Sequence, residues 1–208
     1  MDPASITTEK ELRELLGEPI ERVAKKDRPL IGEVDRAFLA ASPFCLVSTA
    51  DAEGRCDVSP RGDPPGFALV LDESTLALPE RPGNRRADSY RNILANPRIG
   101  TLFLVPGRGD TLRINGRAEL VREPDLLERM LVNGHRPKLA IRIEVETVFF
   151  HCAKAFLRSE LWNPASWNPD APPSRPEIAK LLERPGDSLA ELESYYDEDN
   201  YRRRLYDG

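Results

Sequence analysis

The segment Thr111–Val121 constrains the fold more than any other part of the sequence, because apolar and polar residues alternate along it. The apolar positions are Leu112, Ile114, Ala118 and Leu120. The polar positions between them are Arg113, Asn115, Arg117 and Glu119. This period of two predicts a strand with one buried face. The preceding segment, Arg98–Val105, is almost wholly apolar, which predicts a central strand buried on both faces. A sheet is therefore expected around these two segments.

Shorter segments with strand character surround this pair, at 44–50, 55–59, 67–71, 75–78 and 139–150. Alternation in the last one predicts a shared face for Leu139, Ile141, Ile143, Val145 and Phe149. Helical patterns fall at 9–16, 33–41, 85–95, 124–132, 178–182 and 189–196. Six or seven strands with few helices between them favour a mostly β fold, a closed barrel with flanking helices, over a parallel α/β sheet.

The 208 residues, 40% of them hydrophobic, suit one domain rather than two. The stretch 162–176 holds five of the 19 prolines and cannot form regular helix or sheet. We therefore expect one domain over residues 1–163. Residues 164–208 are expected to form a proline-rich arm with short helices, not an independent domain, and the charged segment 197–208 is expected to fray.

Charge and hydropathy argue against several classes of protein. Thirty Lys and Arg against 35 Asp and Glu give a formal charge of -5, which repels nucleic-acid phosphates. No apolar run approaches the roughly 20 residues of a membrane helix. The first sixteen residues are acidic where an export signal would be basic and then apolar, so we expect a cytoplasmic protein with neither nucleic acid nor membrane as partner.

The cysteines and histidines do not predict a metal site. Cys45, Cys56 and Cys152 match no zinc-ligand spacing, and only His135 and His151 stand beside them in the sequence. Cys152 next to His151 could suggest an activated thiol. Adjacent strand residues point to opposite faces, however, which favours an ordinary strand end.

Two segments are unusual enough to suggest a binding site. Residues 81–91 hold four arginines, follow a predicted strand and open a predicted helix. A Pro-Gly turn, free helix N–H groups and arginine forks favour a small-molecule phosphate there, and a solvated basic helix start is the alternative. The proline- and glycine-rich segment 58–67 could present backbone groups to a flat ligand, or could be only a rigid connection.

Several motifs in a fixed order carry a family resemblance: SPRGDPPGF, TLALPE, RPGNRRADSYRNILANPRIGTLFLVPG, TLRINGRAEL and FFHCAKAFLRSELW. Together they resemble the pyridoxamine 5'-phosphate oxidase-like family of FMN-binding split barrels, and more closely a bacterial branch with SPRGDPPG and RPGNRR. The resemblance spans residues 6–167. It implies a homodimer of split β-barrels with an FMN in each of two grooves between the subunits. The FMN phosphate would then lie against Arg81, Asn84, Arg85, Arg86 and Ser89, although the Ser-Arg-Lys spacing of the oxidase is not reproduced.

The resemblance also implies positions for the flavin ring. The ring would lie over Ser59 to Arg61, with Arg61 and Arg113 as candidate cations near its N1 and C2 carbonyl, where positive charge stabilises the reduced flavin. Surface salt bridges are the alternative role for both arginines. Arg158 and Trp162 would lie near the cofactor, often contributed by the partner subunit, whereas Trp162 could instead be a hydrophobic anchor for the arm.

We expect an FMN-dependent oxidoreductase with a small-molecule electron donor and an unknown substrate. The alternative is a non-enzymatic flavin carrier or redox sensor. A nucleic-acid-binding barrel is disfavoured by the charge, and the vitamin B6 substrate is not carried over because the C-terminal pattern differs. FMN is preferred to FAD because the arginine cluster leaves no evident room for an adenylate. The homodimer is expected because Leu112, Ile114, Ile141 and Ile143 offer more apolar surface than one small core requires.

Overall fold

A computed structural model describes residues 5–206 and organises them around one seven-stranded antiparallel sheet. The strands are β1 (Phe44–Ala50), β2 (Cys56–Gly62), β3 (Leu69–Val70), β4 (Thr75–Pro79), β5 (Arg98–Leu104), β6 (Thr111–Val121) and β7 (Ala140–His151). Their order in the sheet is β2-β1-β5-β6-β7-β4-β3. The mostly β prediction is confirmed, and β6 has the bounds that its alternation predicts.

Short helices flank the sheet. They are α1 (Glu9–Leu16), α2 (Glu21–Ala24), α3 (Glu33–Ala41), α4 (Asp88–Ala95), α5 (Pro124–Arg129), α6 (Lys154–Ser159), α7 (Arg175–Leu182), α8 (Leu189–Tyr196) and α9 (Glu198–Arg202). Within residues 5–206, none of them combines the length and apolar character needed to cross a membrane.

The main core lies on one side of the sheet. Paired residues of an antiparallel ladder lie on the same face of the sheet. The apolar residues of β1, β5, β6 and β7 therefore lie together on the face that the main core covers. Leu112, Ile114, Ile141 and Ile143 are at most 1% exposed in this core. The expectation that these four side chains form a dimer surface is therefore wrong, because the chain's own core already buries them.

The sheet does not close into a full barrel. Its end strands, β2 and β3, are not hydrogen-bonded to each other. Helix α4 packs against β1, β2 and β6 instead, and its Ile93 joins the main core. The barrel is thus split beside α4, which leaves the inward side of edge strand β2 accessible to polar groups.

A β-bulge changes which residues of β7 face the core. The ladder between β6 and β7 shifts between Asn115 and Gly116, so Glu146 has no partner on β6. A Cβ on Gly116 would lie 1.9 Å from the Glu144 carbonyl oxygen, so only glycine fits this approach. Beyond the bulge, Val148 joins the main core with Phe150 packed against it. The prediction that Phe149 shares the face of Ile141 is wrong for this reason.

The C-terminal segment is anchored as far as Tyr206, whereas residues 197–208 were expected to fray. Helix α9 lies within this segment, and the Tyr206 hydroxyl donates a hydrogen bond of 2.7 Å to Asp63 Oδ1. Its ring stacks on His135 with centroids 5.1 Å apart. Asp207 and Gly208 lie outside the described residues, as do the first four residues of the acidic N-terminal stretch.

Candidate functional site

The cofactor cavity, as we call it, lies between β2 and the segment that joins β4 to α4, and has a volume of about 540 Å³. The fold brings the two unusual sequence segments to opposite walls of this cavity. Seven of the ten predicted site residues line it, namely Ser59, Arg61, Arg81, Asn84, Arg85, Arg86 and Ser89. Sequence positions 30 residues apart thus form one site.

A hydroxyl cluster forms one part of the wall. Ser59 on β2 and Ser89 in the first turn of α4 both lie within hydrogen-bond distance of Asp57 Oδ2, at 3.0 and 3.1 Å. The two hydroxyl oxygens are 3.1 Å apart, and Ser89 is buried. Asp57 pairs with Thr49 in the ladder, so it points to the core side of the sheet. The sequence analysis missed Asp57, although its alternation with Ser59 and Arg61 could have indicated it.

Arg61 lies at the inner edge of the cavity with one donor unused. Its Nη2 is 3.4 Å from Ser89 Oγ, and its guanidinium lies 5.5 Å from the centre of the Tyr90 ring. Its Nε is buried and has no hydrogen-bond partner among the described residues. Because an unpaired buried donor is unfavourable, this N–H is a candidate contact for a ligand.

Burial controls the ionisation of two neutral groups beside Arg61. It raises the pKa of Tyr90, and the nearby Arg61 charge opposes the effect only in part. It also raises the pKa of the Cys45 thiol to about 12, again against the influence of Arg61. Both groups therefore stay protonated at neutral pH, and Cys45 is not a thiolate nucleophile.

Arg81 lines the cavity, but its guanidinium is held by other parts of the protein. Nε donates to Asp63 Oδ2 at 2.5 Å, and Nη2 donates to the Met130 carbonyl at 2.7 Å. The group also lies 5.7 Å from the centre of the Tyr206 ring. Arg81 therefore ties the SPRGDPPG loop, α5 and the C-terminal segment together. We call the trio Asp63, Arg81 and Tyr206 the clasp.

The later arginines of the same segment are exposed. Arg85 and Ala87 have positive φ angles of 61° and 57°, which non-glycine residues rarely adopt. The helix therefore begins at Asp88, not at Arg85 as predicted. Asn84 Oδ1 accepts a 3.1 Å hydrogen bond from the Arg86 backbone N–H, and the Arg86 side chain pairs with Asp88. Arg85 forms no ion pair with any described residue.

The charge of the cavity wall suits an anion. Five basic side chains and three acidic ones line it, in a chain whose formal charge is -5. The acidic Asp57 lies beside the two serines, whereas Arg85 and Arg86 lie in the αL-containing turn before α4. An anionic group is therefore favoured at the arginine end, whereas at the serine end the Asp57 carboxylate lies near the Arg61 cation.

The three remaining predicted residues do not line the cofactor cavity. Arg113 lies 4.0 Å from the centre of the Phe149 ring, and its Nε is buried without a partner among residues 5–206. Arg158 is exposed on α6. Trp162 donates to the Arg108 carbonyl at 2.7 Å and stacks on Phe156, so within one chain it anchors the start of the arm.

His151 and Cys152 lie at and just after the end of β7. Desolvation lowers the pKa of His151, and the positive charge of Arg113 adds to this effect. The Lys154 backbone N–H lowers the pKa of the exposed Cys152 thiol. No group of three or more His, Cys, Asp or Glu side chains in the described part of the chain could hold a metal ion.

A second cavity, of about 820 Å³, adjoins the first and shares Pro82, Gly83, Asn84 and Arg86 with it. Its other wall comes from the C-terminal arm. We call it the arm cavity. Beside the arginine cluster, where no evident room for an adenylate was expected, helices of the arm therefore line a further space.

Comparison with known proteins places this geometry in a family. A family model described as pyridoxamine 5'-phosphate oxidase matches residues 31–152, which include β1 to β7 and most of the cavity wall. No curated protein matches the chain.

Several solved structures are similar. HupZ of Group A Streptococcus is 22% identical with a TM-score of 0.47, and the match covers 58% of this chain and 93% of that one. An FMN-binding protein from Syntrophomonas wolfei is 11% identical with a TM-score of 0.44, over 57% and 89% of the two chains. HutZ, the heme storage protein of Vibrio cholerae, is 13% identical with a TM-score of 0.40, over 58% and 93%.

Such weak structural similarity supports no statement about the ligand. The assignment depends on the family model, which spans more than half of the chain, and on the antiparallel split sheet that it covers. The protein therefore belongs to the pyridoxamine 5'-phosphate oxidase family.

Proposed function

We propose that the protein binds FMN in the cofactor cavity and acts as an oxidoreductase with a small-molecule electron donor. The observation that carries this proposal is the convergence of seven predicted cofactor residues on one cavity with a surplus of positive charge. Membership of the pyridoxamine 5'-phosphate oxidase family supports the choice of a flavin.

The phosphate of FMN would bind at the arginine end of the cavity. Arg85 has no carboxylate partner in the described part of the chain, and the guanidinium of Arg86 is exposed. Arginine forks match phosphate oxygens. Arg81 is assigned to positioning, because its donors are already occupied by Asp63 and Met130. Ser59 and Ser89 would contact the cofactor beside this end.

Arg61 would interact with the flavin ring. Its buried Nε has no hydrogen-bond partner within residues 5–206, which is the condition expected of a donor that binds a ligand acceptor. FMN supplies the redox chemistry, hydride uptake from a donor and transfer of electrons to an acceptor, while the protein supplies charge and position. Asp57 would fix the hydroxyls of Ser59 and Ser89.

A homodimer would supply the rest of the site. Arg113, Arg158 and Trp162 lie outside the cofactor cavity of their own chain, so we propose that a partner subunit brings such groups to it. Exposed apolar side chains on and after α6, Leu157 at 73% and Leu161 at 44%, offer surface for the contact. Light scattering should give about twice the 23.4 kDa chain mass, and a monomer with full flavin content would contradict the shared site.

The domain division also remains a proposal. Residues 1–163 would form the cofactor domain and residues 164–208 a dependent arm. The arm supports this division because its buried apolar residues in the described part are few, Ala179 and Leu192, and because Tyr206 anchors it to the domain. Limited proteolysis should cut first within 162–176, and equal protection of that stretch and the sheet would contradict it.

The test of function is the visible spectrum of the purified protein, followed by chromatography of what acid releases from it. We expect flavin absorbance and FMN at about one per chain. Recovery of FAD, haem or no chromophore after growth with ample riboflavin would contradict the FMN assignment. Reduction by NADH or NADPH and reoxidation in air would support the oxidoreductase. A flavin that stays oxidised with both donors would favour the carrier or sensor.

A further inference from the structure

The arm cavity is built from a different part of the chain than the cofactor cavity. Arginine and tyrosine side chains from α7, α8, α9 and the residues just after α9 form one side of it. The other side is formed by Pro82, Gly83, Asn84 and Arg86. Neither the family match, which ends at residue 152, nor the resemblance of the motifs accounts for this space.

Positive charge dominates the wall of the arm cavity. Arg86, Arg175 and Arg204 line it, against the single carboxylate of Glu183. Arg175 pairs with Glu183 and Arg86 pairs with Asp88, so Arg204 is the member of the three that has no carboxylate partner among the described residues. Since the whole chain carries more acidic than basic residues, this surplus is local. Three tyrosines, Tyr195, Tyr196 and Tyr201, supply most of the remaining side-chain surface. Arginines beside aromatic rings are the groups that bind planar anions through charge and stacking.

Two backbone carbonyls and a tyrosine ring position the Arg204 guanidinium, and they do not use all of its hydrogen-bond donors. Its guanidinium lies 4.1 Å from the centre of the Tyr195 ring, and its Nε donates to the Asn200 carbonyl at 3.1 Å. Another of its nitrogens donates to the Tyr195 carbonyl. No carboxylate of the described residues pairs with it. A guanidinium has five N–H donors, so some of them remain available to a ligand. Ordering the guanidinium in advance reduces the entropy lost on binding.

The size of the cavity limits the class of ligand. At about 820 Å³ it falls in the range of roughly 300 to 1,000 Å³ typical of small-molecule sites. Inorganic phosphate would fill little of this space and would use none of the apolar surface of the three tyrosines, whose rings pack on one another and on neighbouring arginines. We propose that the arm cavity binds an aromatic phosphate of mononucleotide size, with the phosphate on Arg204 and the base against the tyrosines.

This site adjoins the proposed flavin site and shares Asn84 and Arg86 with it, but each site also has an arginine of its own. Arg85 lines the cofactor cavity and not the arm cavity, whereas Arg204 lines the arm cavity and not the cofactor cavity. The two arginines therefore report on the two sites independently. Binding in the arm cavity does not require that the proposed FMN function be correct.

Calorimetric titration of the full chain with AMP tests the proposal, with and without saturating FMN. We expect AMP to bind at least about tenfold more tightly than either adenosine or inorganic phosphate, because both halves of the ligand have contacts. Arg204→Ala should weaken AMP binding by at least about tenfold, and Arg204→Gln by a similar factor. Thermal unfolding of both variants verifies that they are folded.

Two neighbouring arginines provide matched controls. Arg203→Ala removes an exposed guanidinium that does not line the arm cavity, and Arg85→Ala alters only the cofactor cavity. Both variants should keep the AMP affinity of the unaltered chain. The proposal is overturned if AMP does not bind, if Arg204→Ala leaves its affinity unchanged, or if inorganic phosphate binds as tightly as AMP. Failure to bind FMN, read from the visible spectrum, would contradict only the proposed function.

Discussion

The segment that follows β4 contains two kinds of arginine. The Arg81 side chain is 14% exposed and its partner Asp63 only 2%, whereas the Arg86 side chain is 72% exposed. Arg81 joins three parts of the fold, while Arg85 and Arg86 lie on an αL-containing turn in front of the cavity. Arginines of one motif thus divide into a structural member and ligand-binding candidates, and their burial distinguishes the two.

The largest expected effect comes from breaking the clasp. Asp63→Ala would leave the buried Arg81 charge unpaired, and loss of one partner of a buried ion pair costs about 3 to 5 kcal/mol. Urea unfolding should show this loss. The matched control is Asp88→Ala, which removes the partner of exposed Arg86 and should change the unfolding free energy by less than about 0.5 kcal/mol. Equal effects of the two substitutions would abolish the distinction between the two kinds of arginine.

The exposed arginines should affect binding and not folding. The double substitution Arg85→Ala and Arg86→Ala should weaken FMN binding at least about tenfold, or about 1.4 kcal/mol, because charge-assisted contacts to a phosphate are lost. The unfolding free energy of the flavin-free protein should change by less than about 0.5 kcal/mol. Arg91→Ala, on the exposed side of α4, is the control and should bind FMN normally. Unchanged FMN titrations of the double variant would refute the phosphate assignment.

Tyr206→Phe should weaken the clasp without breaking it. The ring remains to stack on His135, and Asp63 keeps Arg81, so only one hydrogen bond is removed. We expect a loss of about 1 kcal/mol in unfolding free energy. A loss as large as that of Asp63→Ala would show that the tyrosine, not the ion pair, is the main element of the clasp.

The smallest expected effect is the change in unfolding free energy when Tyr206 ionises in alkaline solution. Burial, aided by the hydrogen bond to Asp63, raises the pKa of Tyr206 from 10.0 to about 12. A raised folded-state pKa stabilises the fold below the unfolded pKa, and this contribution is lost as the pH rises from 10 towards 12. The stability difference between the unaltered chain and Tyr206→Phe should therefore shrink over that interval. A difference that is constant up to pH 12 would contradict the raised pKa.

The sheet was predictable because its signals are local. Strand β6 follows from its own alternation, since that pattern records which side of the strand is buried. The apolar run predicted β5 as a strand, but its expected burial on both faces was wrong, because Gly100, Leu102 and Leu104 are only half-buried. The bulge in β7 was not predictable in this way. It depends on the contact between Gly116 on β6 and Glu144 on β7, and the residue pattern of one strand does not reveal which residues of the neighbouring strand it contacts.

The sequence predicted many of the residues that line the candidate site, but not which partners those residues contact. The two motifs indicated the residues that line the cofactor cavity, because special backbone residues and clustered arginines are visible in sequence. The partners that decide each role were not visible. Asp57 engages Ser89 from 32 positions away and Asp63 engages Arg81 from 18, so which arginine is free depends on folded geometry. The start of α4 was misplaced because Arg85 and Ala87 adopt positive φ.

The contact between Asp63 and Tyr206 joins residues separated by 143 positions. Contacts between distant parts of a chain form late in folding, since closing a long loop has to precede any gain from the contact. The β1–β2 hairpin is local, whereas β1 pairs with β5 across 60 positions, as at Phe44 and Leu104, and the clasp spans more. We therefore expect refolding to restore the sheet first and the ordered segment after β4 last. Sheet formation, followed by circular dichroism, should then be complete before the proposed flavin binding returns.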